Sequence, residues 1–250
     1  MNINIFENSE LGSQFVAEQI QALIKKKTKL TEEVILGLAT GSTPKELYKK
    51  LVSMYKAGEI SFEQVITFNL DEYHPMSHDS EHSYHHFMNQ IFFDAVDIKA
   101  ENTWIPSGEV EKAQIESHCR EYEQQIVDVG GIDLQLLGIG TNGHIGFNEP
   151  GSTIDSVTRY VELDEQTRID AAAAFGGIDN VPRNAISMGI DTILKAKEIV
   201  LMAWGSGKAE IIRDCLFGEI TAVKPATFLQ KHPNVHIVLD REAAALIDVD

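Results

Sequence analysis

The stretch LLGIGTNGHIGFNEPGS, residues 136–152, places a histidine and a glutamate in a turn built largely from glycine. Its glycines give the backbone freedom and allow another molecule to approach closely. His144 has the side chain whose charge changes most readily near neutral pH, and the spacing to Glu149 lets that carboxylate fold back and fix the imidazole tautomer. Asn142 can orient the same ring. The stretch therefore predicts proton transfer by His144, with Asn142 and Glu149 as its orienting partners.

A second candidate is TFNLDEYHP, residues 67–75, in which an apolar run ends at Asp71 and Glu72. A carboxylate at the carboxyl end of a buried strand is well placed to remove a proton from a carbon acid. The alternative is structural, because aspartate commonly caps turns and an exposed glutamate is ordinary. We predict that Asp71 is a general base.

The stretch LATGSTPKELYKKL, residues 38–51, is suited to bind an anion. It places Gly41, Ser42 and Thr43 immediately before a proline, which predicts a helix with Thr43 as its N-cap. The amides and hydroxyls of such a helix start bind phosphate readily. The stretch lacks the lysine of a Walker loop and the glycine fingerprint of dinucleotide sites, so a plain capped helix is the alternative.

The stretch WGSGKAEIIRDCL, residues 204–216, repeats this arrangement with Lys208 in the first helical turn. The helix dipole disfavours a cation at that end. A phosphate that bridges the free amides and the Lys208 ammonium would explain the placement. The alternative is a solvated lysine.

The histidine-rich segment HPMSHDSEHSYHHF, residues 74–87, places His82 and His86 at the i, i+4 spacing of a helix. Such a pair can bind a metal ion, but without the adjacent glutamate of the zinc-protease motif the pattern is nonspecific. We predict a solvated helical face here and no metal site.

A scaffold must position these loops, and the rest of the sequence indicates which one. Strands are predicted by six apolar runs, several too uniformly apolar for a half-exposed sheet: NINIF, VILGLA, VITFNL, DLQLLGIG, EIVLMAW and VHIVL. Helical periodicity over 11–24 and 110–126 predicts helices on both sheet faces. The sequence thus predicts an α/β fold with a mainly parallel central sheet, in which the four loops converge at the carboxyl ends of the strands.

Length, charge and cysteine content narrow the class of protein. The 250 residues, 43% of them hydrophobic, favour one domain over 1–250, with a candidate mobile lid at about 156–182 that hinges at the glycine pair 176–177. A formal net charge of −17 argues against binding a nucleic-acid backbone or an anionic membrane. Cys119 and Cys215 form no disulfide framework and no signal-peptide pattern opens the chain, so we expect a cytoplasmic protein.

Together the motifs GLATGSTP, FNLDEY, GIGTNGHIGFNEP and GSGKA resemble, in this order and at these separations, those of the glucosamine-6-phosphate deaminase family. The resemblance covers nearly the whole chain and implies a Rossmann-like three-layer α/β sandwich. It also implies conversion of glucosamine 6-phosphate and water to fructose 6-phosphate and ammonia, an aldose–ketose isomerisation with deamination in amino-sugar catabolism. No cofactor and no metal are implied.

The resemblance assigns a role to each candidate residue. His144 is expected to carry the proton between the ring oxygen and the anomeric hydroxyl during ring opening, oriented by Asn142 and Glu149. Asp71 is then expected to remove the C2 proton and to return a proton at C1. The substrate phosphate is expected to rest on the 41–43 loop and Lys208.

Two positions depart from the family pattern. Many relatives carry aspartate in place of Asn142, so a neutral amide replaces a carboxylate and His144 should be less readily protonated. Relatives also carry a lid arginine that reaches the phosphate, whereas here that position falls within Ala171 to Ala174. We predict that Arg168 replaces it.

Two other functions are compatible with this fold. A 6-phosphogluconolactonase would hydrolyse a lactone of a similar sugar phosphate, and FNLDEYHP together with GFNEPGS argues against it. A sugar-phosphate sensor would need a DNA-binding helix-turn-helix, and no basic segment precedes NINIF. The sequence ends at ALIDVD, short of the C-terminal extension that the resemblance associates with allosteric, hexameric members, so we expect a monomer or a small homo-oligomer.

Overall fold

Within residues 1–247, which this computed structural model describes, the chain forms ten strands and seven α-helices. The strands are β1 (Asn2–Phe6), β2 (Val34–Leu38), β3 (Val65–Asn69), β4 (Asp71–His74), β5 (Thr103–Trp104), β6 (Leu134–Leu137), β7 (Arg159–Glu162), β8 (Asn184–Ser187), β9 (Glu198–Ala203) and β10 (Val235–Asp240). The helices are α1 (Ser9–Thr28), α2 (Lys45–Lys56), α3 (Tyr84–Ile91), α4 (Ile115–Asp128), α5 (Glu165–Ala171), α6 (Ile190–Leu194) and α7 (Ala209–Phe217). The predicted domain runs to residue 250, and 248–250 lie outside the described residues.

Seven strands form the central sheet in the order β1-β10-β9-β6-β2-β3-β5, and every neighbouring pair is parallel. Every residue of β2 and β3 is buried, so both faces of these strands are covered. Continuous apolar runs such as VILGL are typical of strands covered on both faces. The predicted α/β fold with a mainly parallel sheet is therefore confirmed, and all six predicted strands form.

Local sequence accounts for the longest helix. The side chain of Asn8 caps α1 by accepting a hydrogen bond from the Leu11 amide at 3.0 Å. One face of α1 is buried, with Val16, Ala17 and Ile20 fully inaccessible to solvent. No helix within residues 1–247 is long and apolar enough to cross a membrane. In the 110–126 region the helix α4 begins only at Ile115, later than the periodicity predicted.

The order of the strands creates a crevice between β2 and β6. From β2 the chain proceeds outward through β3 to β5, and from β6 it proceeds in the other direction through β9 and β10. The loops that follow β2 and β6 therefore leave the sheet in opposite directions. Ligands bind at such a switch point in open α/β sheets, and the 41–43 loop and the glycine-rich loop after β6 flank this one.

A second sheet, which the sequence analysis did not predict, contains β4, β8 and β7 in an antiparallel arrangement. Only Leu70 separates β3 from β4, so Asp71, the first residue of the second sheet, lies directly beyond the end of a central strand. In the register of β8, Ser187 lies opposite Asp71 on one side and opposite Arg159 on the other. The first part of the predicted lid region 156–182 therefore contains β7, which is hydrogen-bonded to β8.

Gly189 fixes the chain that leads into β7. A methyl group at this position would lie 2.1 Å from the carbonyl oxygen of Ser156 and 2.5 Å from that of Val157. The Ser156 carbonyl also accepts a hydrogen bond from the amide of Asp191 at 2.9 Å. Backbone meets backbone here, so only glycine fits without a shift of the whole segment.

We expect Gly189→Ala to lower the free energy of unfolding by about 1–3 kcal/mol, because the added methyl group forces the packed backbone apart. Urea denaturation monitored by circular dichroism measures the change. Gly207→Ala is the matched control, since a methyl group there meets no atom within 4 Å. Equal stability of the two variants would contradict the packing argument.

Candidate active site

A cavity of about 270 Å³ opens at the crevice between β2 and β6. Its wall brings together six of the predicted site residues, which come from four separate loops: Gly41, Ser42, Thr43, Asp71, His144 and Lys208. The four predicted segments thus meet around one cavity. Asn142 and Glu149 stand behind His144 and do not line the cavity, and Arg168 lies elsewhere.

The His144 imidazole lies directly over the backbone of Gly140. A methyl group on Gly140 would lie 2.2 Å from the imidazole Nδ1, so any other residue would displace the ring. The loop closes around it through a hydrogen bond from the Gly140 amide to the His144 carbonyl at 2.9 Å. Gly143 has a φ of 86°, a left-handed conformation that glycine adopts without strain. These two glycines explain part of the glycine density seen in the sequence.

A chain of polar contacts orients the ring. His144 Nδ1 lies 2.7 Å from Asn142 Oδ1, and Asn142 Nδ2 donates to Glu149 Oε2 at 3.1 Å. The carbonyl oxygen of Asn142 can only accept, so Nδ1 carries a proton and Nε2 of the neutral ring is left as the base. Glu149 itself lies 3.4 Å from Nδ1, so Asn142 is the nearer partner of the ring and links it to the carboxylate.

Glu149 is buried, and burial alone would raise its pKa. The hydrogen bond and the charge of His144 oppose this, as do hydrogen bonds from Thr167 and Asn142, and together they hold the pKa of Glu149 below its usual range. Glu149 therefore remains ionised beside the imidazole. An ionised carboxylate at this distance stabilises the imidazolium that forms when His144 accepts a proton.

Asp71 lies in the cavity wall with only 6% of its surface exposed. Burial raises the pKa of this carboxyl well above its usual value, and the negative charges of Glu72 and Glu149 raise it further. A methyl group on Gly146 would lie 3.4 Å from Asp71 Oδ2, so the His144 loop passes close to this carboxylate. The structure thus places a carboxylate of increased basicity and an imidazole in one cavity.

Glu72 has a different role from its neighbour. It is fully buried, and its carboxylate accepts hydrogen bonds from the amides of Tyr84 at 2.9 Å and His85 at 3.1 Å, in the first turn of α3. A carboxylate at this position satisfies free amides and interacts favourably with the helix dipole. Glu72 therefore anchors α3 against β4.

The 41–43 loop is held from behind by two aromatic side chains. Trp204 Nε1 donates to the carbonyl of Thr43 at 3.0 Å, and the Tyr48 hydroxyl donates to the carbonyl of Ala39 at 2.6 Å. Thr43 is not the helix N-cap, contrary to the prediction, because Pro44 occupies that position with a helical backbone. The Thr43 side chain is consequently free of the capping role and faces the cavity.

Lys208 is half-buried and lines the same cavity as the 41–43 loop. Its ammonium donates to the carbonyl of Ile139 at 2.7 Å. Burial lowers the pKa of Lys208, and the negative charge of Asp170 partly opposes this shift. The carbonyl uses one of three N–H donors and leaves the others directed away from it, so Lys208 is not the solvated side chain of the alternative interpretation.

Arg168 lies away from the cavity, which corrects the prediction that it replaces a phosphate-binding arginine. Its guanidinium donates to the carbonyls of Ile178 at 2.8 Å and Val181 at 3.3 Å, at the far end of its own segment. These carbonyls accept hydrogen bonds from a half-buried cation that would otherwise lack partners on this side. Arg168 therefore closes the segment on itself.

Sequence reasoning missed four residues of the cavity wall: Tyr73, Tyr84, Thr167 and Asp170. Burial raises the pKa of Tyr73 to about 12. The Thr167 hydroxyl lies 3.2 Å from His144 Nδ1. Tyr73 directly follows the acidic pair of the FNLDEY motif, which was a usable signal. The sequence predicted a lid over 156–182 but selected Arg168 from it, whereas Thr167 and Asp170 are the side chains of α5 that line the cavity.

The histidine-rich segment forms stacked rings. His82 stacks on Phe175 with the ring centroids 4.5 Å apart, and His78 stacks on His85 at 3.8 Å. In the part of the chain that is described, no group of three or more His, Cys, Asp or Glu side chains is arranged to hold a metal ion. His82 lies in the turn before α3 and is half-buried, so His82 and His86 do not form the solvated helical face that their spacing predicted.

Comparison with known proteins points to one family. Residues 7–237 match the model of a family described as glucosamine-6-phosphate isomerases and 6-phosphogluconolactonase. A glucosamine-6-phosphate deaminase of Thermoanaerobacter pseudethanolicus is 50% identical over 99% of this chain and 95% of its own, and one of Clostridium perfringens is 44% identical over 99% and 100%. A solved monomeric glucosamine-6-phosphate deaminase superposes with a TM-score of 0.94 at 43% identity, covering 99% of this chain and 100% of its own. A 6-phosphogluconolactonase of Trypanosoma brucei, at 18% identity and a TM-score of 0.80 over 99% of this chain and 98% of its own, shares the fold.

We expect Asp71→Asn to raise the free energy of unfolding at pH 8, since the ionised Asp71 carboxylate destabilises the folded protein and the amide carries no charge. The folded-state pKa of Asp71 is raised. Its contribution to stability is therefore present below the unfolded pKa of about 3.9 and is lost as the pH rises through the folded pKa. Thermal denaturation of both proteins at pH 5 and pH 8 measures the gain, which should grow with pH.

Asp94→Asn is the control for the loss of one negative charge at an exposed position. A gain from Asp71→Asn that is absent at pH 8, or equal to that of the control, would show that the folded protein tolerates the ionised Asp71 carboxylate at no cost.

Proposed function

The chain belongs to the family of glucosamine-6-phosphate isomerases and 6-phosphogluconolactonases, and we propose that it converts glucosamine 6-phosphate and water to fructose 6-phosphate and ammonia. One observation carries the proposal: a cavity at the switch point of the sheet holds an imidazole and a buried carboxylate together. Ring opening and carbon deprotonation need these two groups. The relatives that are 44–50% identical over nearly the whole chain are glucosamine-6-phosphate deaminases, which places the reaction in amino-sugar metabolism.

His144 performs ring opening in this proposal. Its free Nε2 takes the proton of the anomeric hydroxyl and, as the imidazolium, returns a proton to the ring oxygen. The Asn142 carbonyl holds Nδ1–H at 2.7 Å throughout, and the ionised Glu149 at 3.4 Å favours the charged intermediate. A neutral amide between the ring and the carboxylate transmits orientation without adding a second negative charge.

Asp71 acts on carbon. The open-chain substrate carries an acidic hydrogen at C2, next to the C1 aldehyde, and a carboxylate fixed at a strand start can be held against it. Removal of the C2 proton gives an enolamine, and the protonated Asp71 then returns the proton at C1. Loss of the amine as ammonia with addition of water at C2 leaves the ketose. The raised pKa of Asp71 supports this role, because a stronger base removes a carbon-bound proton more readily.

The phosphate rests on the loop 41–43 and on Lys208. The 41–43 loop before α2 and Lys208 line the same cavity, and Trp204 fixes the loop through the Thr43 carbonyl. Charge-assisted hydrogen bonds of this kind are among the strongest that proteins make. Arg168 has no part in this site.

The segment 163–182 is the mobile part in this proposal, and β7 is not. It carries α5 over the cavity and ends in a glycine pair with φ values of 69° and 142°, which allows a hinge. A monomer or small homo-oligomer is supported by the similar solved structure, which is described as monomeric. A cytoplasmic location is supported by the two free, buried cysteines, Cys119 and Cys215.

The direct test incubates the purified protein with glucosamine 6-phosphate and measures ammonia and fructose 6-phosphate together. We expect equal amounts of both, and we expect Asp71→Asn to lower turnover roughly 100-fold or more, because the variant keeps the shape but loses the base. Deuterium incorporation at C1 of the product in deuterated water should fall in parallel. Wild-type exchange by Asp71→Asn would exclude Asp71 as the carbon base, and a lactonase would release neither product.

We expect His144→Gln to separate the two steps. Turnover of the cyclic substrate should fall roughly 100-fold or more. An acyclic aldehyde analogue needs no ring opening, so its C2 hydrogen should still exchange with deuterated solvent at a rate within about 10-fold of the wild-type rate, measured by proton NMR. Equal damage to both reactions would assign His144 to a later step.

A further inference from the structure

The lid helix α5 brings a second carboxylate into the cavity. Asp170 lines the wall together with Lys208. Both of its oxygens are held: Oδ1 accepts from Gln166 Nε2 at 2.8 Å, and Oδ2 accepts from the Thr141 hydroxyl at 3.2 Å. Thr141 belongs to the His144 loop, so the exposed Asp170 side chain is hydrogen-bonded both to its own helix and to that loop.

The charges around the cavity do not favour a phosphate dianion. Among the described residues that line it, Lys208 is the single lysine or arginine, while Asp71 and Asp170 are both acidic. Asp170 therefore adds a carboxylate to a wall that has one basic side chain, Lys208, to hold an anion. A site that binds only through attraction between opposite charges would not place a carboxylate beside its single cation.

Asp170 acts on the same end of the cavity as Lys208. The Lys208 ammonium donates to the Ile139 carbonyl at 2.7 Å and not to Asp170, so the carboxylate is close enough to be felt but is not neutralised by an ion pair. An anion that approaches Lys208 and the 41–43 loop thus enters the field of Asp170. The Asp170 carboxylate would repel this anion, and the hydrogen bond from Thr141 opposes movement of the carboxylate away from it.

We propose that Asp170 is a specificity-determining residue that weakens the hold of the cavity on the phosphate group of its ligands. This inference rests on the proposed function. The substrate carries an amine that can be protonated, whereas the product has lost it and is more negative. The negative charge of Asp170 therefore disfavours the product more than the substrate, and Asp170 promotes release of the product.

The test measures the dissociation constant of inorganic phosphate by calorimetry, which does not depend on turnover. We expect Asp170→Asn to bind phosphate about 3- to 10-fold more tightly than the wild type, because it keeps the shape of the side chain and removes the charge. Asp170→Glu restores the charge and should bind phosphate nearly as weakly as the wild type. Inhibition by fructose 6-phosphate should strengthen in Asp170→Asn by a similar factor.

Glu165→Gln is the matched control, because it removes the same charge from the same helix at an exposed position outside the cavity. It should change phosphate binding by less than about 2-fold. Lys208→Ala should weaken phosphate binding and so report on the phosphate site itself.

The outcomes are distinct. Unchanged or weaker phosphate binding by Asp170→Asn, alongside the expected loss in Lys208→Ala, would overturn the role of Asp170 and leave the phosphate site standing. Tighter binding by both Asp170→Asn and Asp170→Glu would assign the effect to shape and not to charge, which also overturns it. Phosphate binding that does not respond to Lys208→Ala would overturn the phosphate site, and the role of Asp170 with it.

Discussion

The divergence of the loops after β2 and β6 is the constraint on which the rest of the structure depends. Away from a switch point, the loops of neighbouring parallel strands leave the sheet in the same direction, but here the order of the strands reverses between these two, and a crevice opens. The 41–43 loop after β2 and the glycine-rich loop after β6 both line it. Asp71 comes from β4 and Lys208 from the turn before α7, so four segments distant in sequence line one cavity of about 270 Å³.

Within that crevice, burial and neighbouring negative charges disfavour the ionised form of Asp71, the proposed base. Asp71 is buried beside Glu72 and Glu149, and each of these carboxylates disfavours its ionisation. Glu72 is satisfied by the amides of α3, and Glu149 by Asn142 and His144, whereas Asp71 is left to face the cavity. The contribution of Asp71 to folding stability is therefore lost at a pH at which the base is ionised and can act, as the linkage between pKa and stability requires.

The apolar runs made the central sheet predictable, because strands covered on both faces leave an uninterrupted hydrophobic signal. The strands β4, β7 and β8 carry no such signal: DEYH, RYVE and NAIS are short and largely polar, and their pairing depends on a register between distant segments. The candidate catalytic residues could be predicted from motifs, because residue type reveals proton chemistry. The partners of Arg168 could not be predicted, because they are backbone carbonyls, which leave no trace in the sequence.

Asn142 shows how a substitution of one side chain can keep geometry while changing charge. The amide has an acceptor and a donor, and it uses the first for His144 Nδ1 and the second for Glu149 Oε2. A carboxylate at this position has no donor, so it would face Glu149 with two like charges and would need a proton or a movement to keep the contact. The amide therefore fixes the tautomer of His144 without that conflict, and the ionised Glu149 remains the one negative charge that stabilises the imidazolium.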